Sequence, residues 1–155
     1  MPESVGKNSR STAKGPMLEK SKAFAVQIVR LSQSLVVERH EFVLSRQVLR
    51  SATSIGANLR EARGAQSPAD FLSKQSIALK EAYETEYWIE LLGETGYLTS
   101  DSMDSLMKDA SELISMLTKS VSSLKGKINN DNPGLILRDA SAEYFWSDFT
   151  PPDSF

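Results

Sequence analysis

The sequence has no cysteine and a single histidine, His40. Disulfides and thiolate metal sites are therefore excluded, and a cytoplasmic setting is expected. One histidine cannot furnish the paired Glu-x-x-His motifs with which four-helix bundles hold two metals, and no Glu-x-x-His occurs. His40, beside Glu41, reads as a solvated residue of a connection rather than a base. There is no Walker loop, no dinucleotide glycine pattern and no Gly-x-Ser-x-Gly elbow. No apolar run approaches the ~20 residues of a membrane span. The opening residues, MPESVGKNSRSTAKGP, lack the apolar core of a signal peptide. The expectation is a protein that is not an enzyme, with no cofactor, no metal and no membrane partner.

What is present is an ordinary globular composition, 40% hydrophobic and 25% charged over 155 residues, enough for one domain with its own core. The net charge of −2 hides a strong asymmetry. Residues 1–30 carry +4, residues 31–80 carry +3, and residues 81–155 carry −9. This pattern fits solvated helix faces of different sign, or a polar assembly with a basic surface for an acidic partner.

Four helices are expected. The first runs over about 17–36, with Phe24, Ile28, Leu31 and Leu35 at helical spacing. The second runs over about 42–63. On a helical wheel, Leu44, Val48, Ser51, Ala52, Ile55, Leu59 and Ala62 share one arc, and Arg46, Arg50, Thr53, Ala57 and Arg60 lie opposite. A phosphate-cradling loop has no reason to hold that phase, so RSATSIGANLREARG is a helix. Gly56 within it costs ~1 kcal/mol relative to Ala, and its use is to let another backbone approach. Gly64 ends the helix. Ser67, Pro68 and Asp70 then form a helix start: cap, first helical position and a charge suited to the positive end. The third helix reaches about residue 95, with Gly96 as its C-terminal cap. Its seam is Phe71, Gln75, Ala78, Ala82, Thr85, Ile89 and Leu92. Thr99 or Ser100 caps the fourth, whose stripe is Met103, Leu106, Ala110, Leu113, Leu117, Val121 and Leu124 and which fades at 126–130.

Short connections between four amphipathic helices give an all-α, up-down-up-down four-helix bundle over residues 17–130. Residues 1–16 form a loosely held segment. Residues 131–155 form an aromatic and acidic tail holding Tyr144, Phe145, Trp146 and Phe149. Such a tail is either disordered or docks on a partner or on the bundle. The third helix carries Trp88 and Ile77 to one side of its seam and Leu72, Leu79 and Tyr83 to the other. That exceeds the stripe a monomeric bundle needs, so either self-association or another segment of the chain covers the excess. Asn58, Glu61 and Glu86 edge the seams and read as a polar network fixing helix register, with Arg63, Lys22 or an arginine of another subunit as partners.

RSATSIGANLREA resembles the Arg-x-Ala-x-Ser-Ile-x-x-Asn-(Ile/Leu)-x-Glu signature of a bacterial four-helix-bundle family. That family is named for the intervening-sequence protein, encoded by reading frames inserted in large-subunit ribosomal RNA genes. The stretch SPADFLSKQSIALKEAYETEYWIELLGETGYL is similar to the family's third helix in its Asp-Phe-x-x-Lys start, Ile-Ala-Leu-Lys-Glu-Ala core and Glu-Thr-x-Tyr-Trp segment. Many members have Gly where this chain has Ala62, and the aromatic tail is outside the pattern. The resemblance implies a symmetric homo-oligomer, commonly a barrel-shaped pentamer. It also implies likeness to the accessory variability determinant of diversity-generating retroelements, which binds reverse transcriptase and nucleic acid. The expected function is a non-enzymatic scaffold contacting RNA or DNA phosphates through Arg46, Arg50, Arg60, Lys74 and Lys80. The alternative is a protein–protein adaptor, such as a reverse-transcriptase accessory protein, that uses the bundle surface and the tail.

Overall fold

The computed structural model describes residues 15–131. They form four helices and no strand: α1 (Pro16–Arg39), α2 (Leu44–Ala62), α3 (Pro68–Glu94) and α4 (Ser100–Asp131). The tail residues Tyr144, Phe145, Trp146 and Phe149 lie outside the described residues.

Each helix begins or ends for a local reason. Pro16 opens α1 at a position where its missing N–H is no loss. His40 ends α1 in the left-handed region at φ 51°, and the Glu41 N–H reaches back to the Leu35 carbonyl at 3.0 Å. The start of α2 was expected at residue 42 with no cap assigned. It begins instead at Leu44, and the cap is the Glu41 carboxylate. Its oxygens accept from the backbone N–H groups of Val43, Leu44 and Ser45 at 2.9, 2.8 and 2.6 Å. Glu41 is thus a buried anchor of the α1–α2 corner, while His40 beside it is exposed. Ser67 caps α3 by accepting from the Asp70 N–H at 3.1 Å, and Pro68 takes the first turn, as the sequence signal predicts. Thr99 accepts from the Ser102 N–H at 3.3 Å and starts α4.

Consecutive helices run in opposite directions. Ser32 donates to the Ser45 carbonyl across α1 and α2, while Ser21 faces Gly56 further along. Thr85 bonds Ser51 while Lys74 bonds Glu61. Packing is extensive between α1 and α2, α2 and α3, and α3 and α4, and thin between α1 and α4. The core is Phe24, Ile28 and Leu35 of α1, the expected arc of α2, the middle of the α3 seam, and Leu106, Ala110, Leu113 and Leu117 of α4. Several details differ from the periodicity, and Leu44, Met103 and Leu124 of the expected stripes are only half-buried. Leu31 is only half-buried, while Ser21 and Ser32 are buried. At the start of α3, Leu72 replaces Phe71 in the buried set. Leu72 packs with Val121 and Ile128, so α4 extends past α1 and builds a second small cluster with α3.

Gly56 sits against Ser21. A methyl group there would meet Ser21 Oγ at 3.4 Å and the Ser21 carbonyl carbon at 4.0 Å, ordinary contact distances. The approach of α1 is close but leaves room for alanine. At Gly93 the space is taken by the Met103 side chain, so a methyl there must displace it. Replacing Gly56 by Ala is expected to raise stability by up to ~1 kcal/mol, the helix-propensity gain. Gly93→Ala should fall short of that gain in the same thermal-unfolding measurement, because Met103 must repack.

Burial raises the Glu41 carboxyl, but the three backbone N–H donors and the Ser45 hydroxyl outweigh it and hold the group below its ordinary value. Its stabilising contribution is therefore complete above the unfolded-state value and is lost as pH falls through the lower folded value. Urea unfolding of Glu41→Ala should show a loss of ~1 kcal/mol at neutral pH. The gap from the native chain should close in acid; an undiminished gap would contradict the capping role.

Candidate nucleic-acid interface

Because the apolar arc of α2 is buried, its opposite side faces water. Arg46, Arg50 and Arg60 are all exposed there. Arg46 and Arg50 are one turn apart, ~6 Å along the axis, and Arg60 is ~15 Å beyond Arg50. Among the described residues none of the three is in an ion pair. They do not form one patch. Arg50 lies towards α3, where its charge acts on Glu81. Arg60 lies towards α1 and lines an open groove of about 440 Å³ with Lys22 and Arg30.

The two α3 candidates differ from each other. Lys80 is exposed. Lys74 is tied to Glu61 at 2.6 Å, and that hydrogen bond and charge raise its ammonium above the ordinary value. A phosphate would have to compete with a carboxylate already in place. Lys22 and Arg30 are far from Arg60 in sequence. They are on α1, and only the α1–α2 crossing brings them together.

The expected register residues each take a separate partner. Asn58 donates to the Ser54 carbonyl at 2.9 Å and to its hydroxyl at 3.1 Å. Glu61 holds Lys74. Glu86 accepts from the Ser111 hydroxyl of α4 at 3.3 Å. A carboxylate that the periodicity did not single out is Glu81. Its Oε2 atom is buried with no hydrogen-bond partner. Burial pushes its carboxyl up, the Glu84 carboxylate adds to this, and Arg50 and Ser54 pull the other way with less effect. Its position one turn before Glu84 is visible in the sequence, but its place opposite Arg50 and Ser54 depends on how α2 and α3 pair.

Residues 15–119 match the model of the 23S rRNA-intervening sequence protein family. The chain belongs to that family. The matched residues take in α1, α2, α3 and more than half of α4. A solved structure from Bacteroides thetaiotaomicron, described as a protein with unknown function from the S23 ribosomal protein family, is 53% identical and aligns with a TM-score of 0.67. The alignment covers 68% of this chain and 95% of that one. No curated protein matches the chain. The 23S rRNA-intervening sequence protein match ends before the tail, so Tyr144, Phe145, Trp146 and Phe149 have no counterpart in it.

In this family member Glu81 binds protons more readily folded than unfolded, so its ionisation lowers stability as pH rises from the unfolded value through the folded one. Glu81→Gln removes that charge. Its unfolding midpoint should exceed that of the native chain at neutral pH and converge with it in acid, where Glu81 is protonated. A neutral-pH midpoint at or below that of the native chain would count against an uncompensated carboxylate.

Proposed function

We propose that the chain is a non-enzymatic scaffold that assembles with copies of itself and contacts RNA or DNA through phosphates. The observation that carries this reading is the outer face of α2, where Arg46, Arg50 and Arg60 are exposed and have no ion pair among the described residues. Arginine suits this role because its planar fork meets two phosphate oxygens at once. Lys80 adds a charge on α3, and Lys74 contributes only when it leaves Glu61.

Self-assembly is supported by the apolar surface that the bundle leaves open. Tyr83 and Tyr87 on α3 are 50% and 55% exposed, and Ile77, on the other side of the seam, is also exposed. Leu72 and Leu79 are covered by α4, so part of the excess expected from the sequence is met within the chain. What remains suits a symmetric interface between copies, and the pentamer implied by the resemblance is the assembly we favour.

Binding to single-stranded RNA across a salt series tests the reading. Affinity should fall steeply with salt, and each of Arg46→Ala, Arg50→Ala and Arg60→Ala should reduce the logarithmic slope by ~0.7. Lys74→Ala should change it less. Solution mass measured on the same samples should report a closed oligomer. No binding at low salt, or binding indifferent to all three arginines, rejects the phosphate contacts; a monomer rejects the scaffold.

A further inference from the structure

A groove along the outer side of α1, bordered by Arg60 of α2, has an apolar floor and a basic rim. Leu18, Ala23 and Val26 supply apolar surface, and Lys22, Arg30 and Arg60 supply the charge, with Glu19 as the single carboxylate. Val26 is 42% exposed, a branched aliphatic side chain left in water. Among the described residues none of the three cations is in an ion pair. A ligand that fits must carry large apolar groups and negative charge on one short segment.

The chain carries such a segment itself. Residues 143–149 read EYFWSDF, four aromatics flanked by Glu143 and Asp148, and Asp139 lies just upstream. Residues 132–155 hold four carboxylates against one arginine, Arg138. Aromatic side chains this dense are costly to leave in water. The segment also starts at the correct end of the bundle. Because α4 runs against α1, its last residue, Asp131, is at the end where α1 begins and α2 finishes near Arg60. Asp109 of α4 meets Gln27 of α1 at 2.9 Å and stands 22 residues before Asp131, ~33 Å along the helix. Trp146 is 15 residues beyond Asp131, and an extended chain of that length spans ~50 Å. The surplus covers the sideways step past one helix, ~10 Å.

We propose that this groove on α1, bordered by Arg60, is the docking site of residues 139–149 of the same chain. The aromatic side chains lie on Leu18, Ala23 and Val26, and the carboxylates meet Lys22, Arg30 and Arg60. Docking in this way occupies Arg60, so the tail and a phosphate chain are alternatives at that residue. The docking itself does not depend on nucleic-acid binding.

The full-length Trp88→Phe chain, in which Trp146 is the single tryptophan, tests this without any nucleic acid. Acrylamide should quench Trp146 several-fold less than it quenches free N-acetyltryptophanamide. The protection should persist on serial dilution and disappear with Lys22→Glu and Arg60→Glu combined. If Trp88→Phe does not fold, a solvent-sensitive dye on Ser147→Cys, the single thiol in an otherwise cysteine-free chain, gives the same comparison. Quenching equal to the free amide overturns the proposal. So does protection indifferent to the charge reversals, which points to another surface. Protection lost on dilution also overturns it, because the groove is then filled by a second copy.

Discussion

The α2–α3 interface closes on small side chains, and the positions of the charged groups follow from how tightly it does so. Ser51, Ala52, Ala78 and Ala82 are all at or below 1% exposure. Thr85 Oγ1 lies 2.9 Å from Ser51 Oγ across the interface. Each hydroxyl also reaches back to its own helix, at the Val48 and Glu81 carbonyls, so neither is left bare in the low-dielectric interior. Larger side chains would hold the helices apart, and a slip of one turn would separate the two hydroxyls. With the register fixed there, Glu61 meets Lys74 at one end, and Arg50 comes within electrostatic range of Glu81 further along. The unpaired Oε2 of Glu81 is a consequence of this close approach, which excludes water without supplying a donor.

The buried and exposed sides of α2 were legible because apolar and small residues keep helical phase over its whole length. The start of α3 was legible because Ser67 and Pro68 act locally. Ser21 and Ser32 were not legible as core. A hydropathy pattern counts them as polar, yet each hydroxyl donates to a carbonyl, of Leu18 and Ser45, and can therefore be buried. The shift from Phe71 to Leu72 depends on α4 running past α1, a length that period alone does not give. Glu41 acts through three successive backbone N–H groups and looked like a loop residue, because the usual caps are shorter side chains. The basic rim of the groove combines residues nearly forty positions apart, so no window of sequence contains it.

The charge asymmetry of the chain also changes meaning once folded. Lys20 of α1 meets both Asp109 and Glu112 of α4, so part of the basic first half is neutralised by the acidic second half. Their charge raises the Lys20 ammonium, led by its hydrogen bond to Glu112. On the outer face of α2, Arg46, Arg50 and Arg60 are in no ion pair among the described residues, although Arg50 acts on Glu81 of the neighbouring α3. A net charge of −2 is therefore compatible with a locally basic surface.

The thin contact between α1 and α4 has a dynamic consequence. Their seam is held by Lys20, Gln27 and two carboxylates, and it includes an open groove of about 460 Å³ near Leu31 and Leu106. Water-exposed polar links are the least costly to break, so the bundle opens most readily along this line. The α1–α2 corner, anchored by Glu41, then serves as the hinge. The first helix is accordingly tied to the bundle mainly through α2.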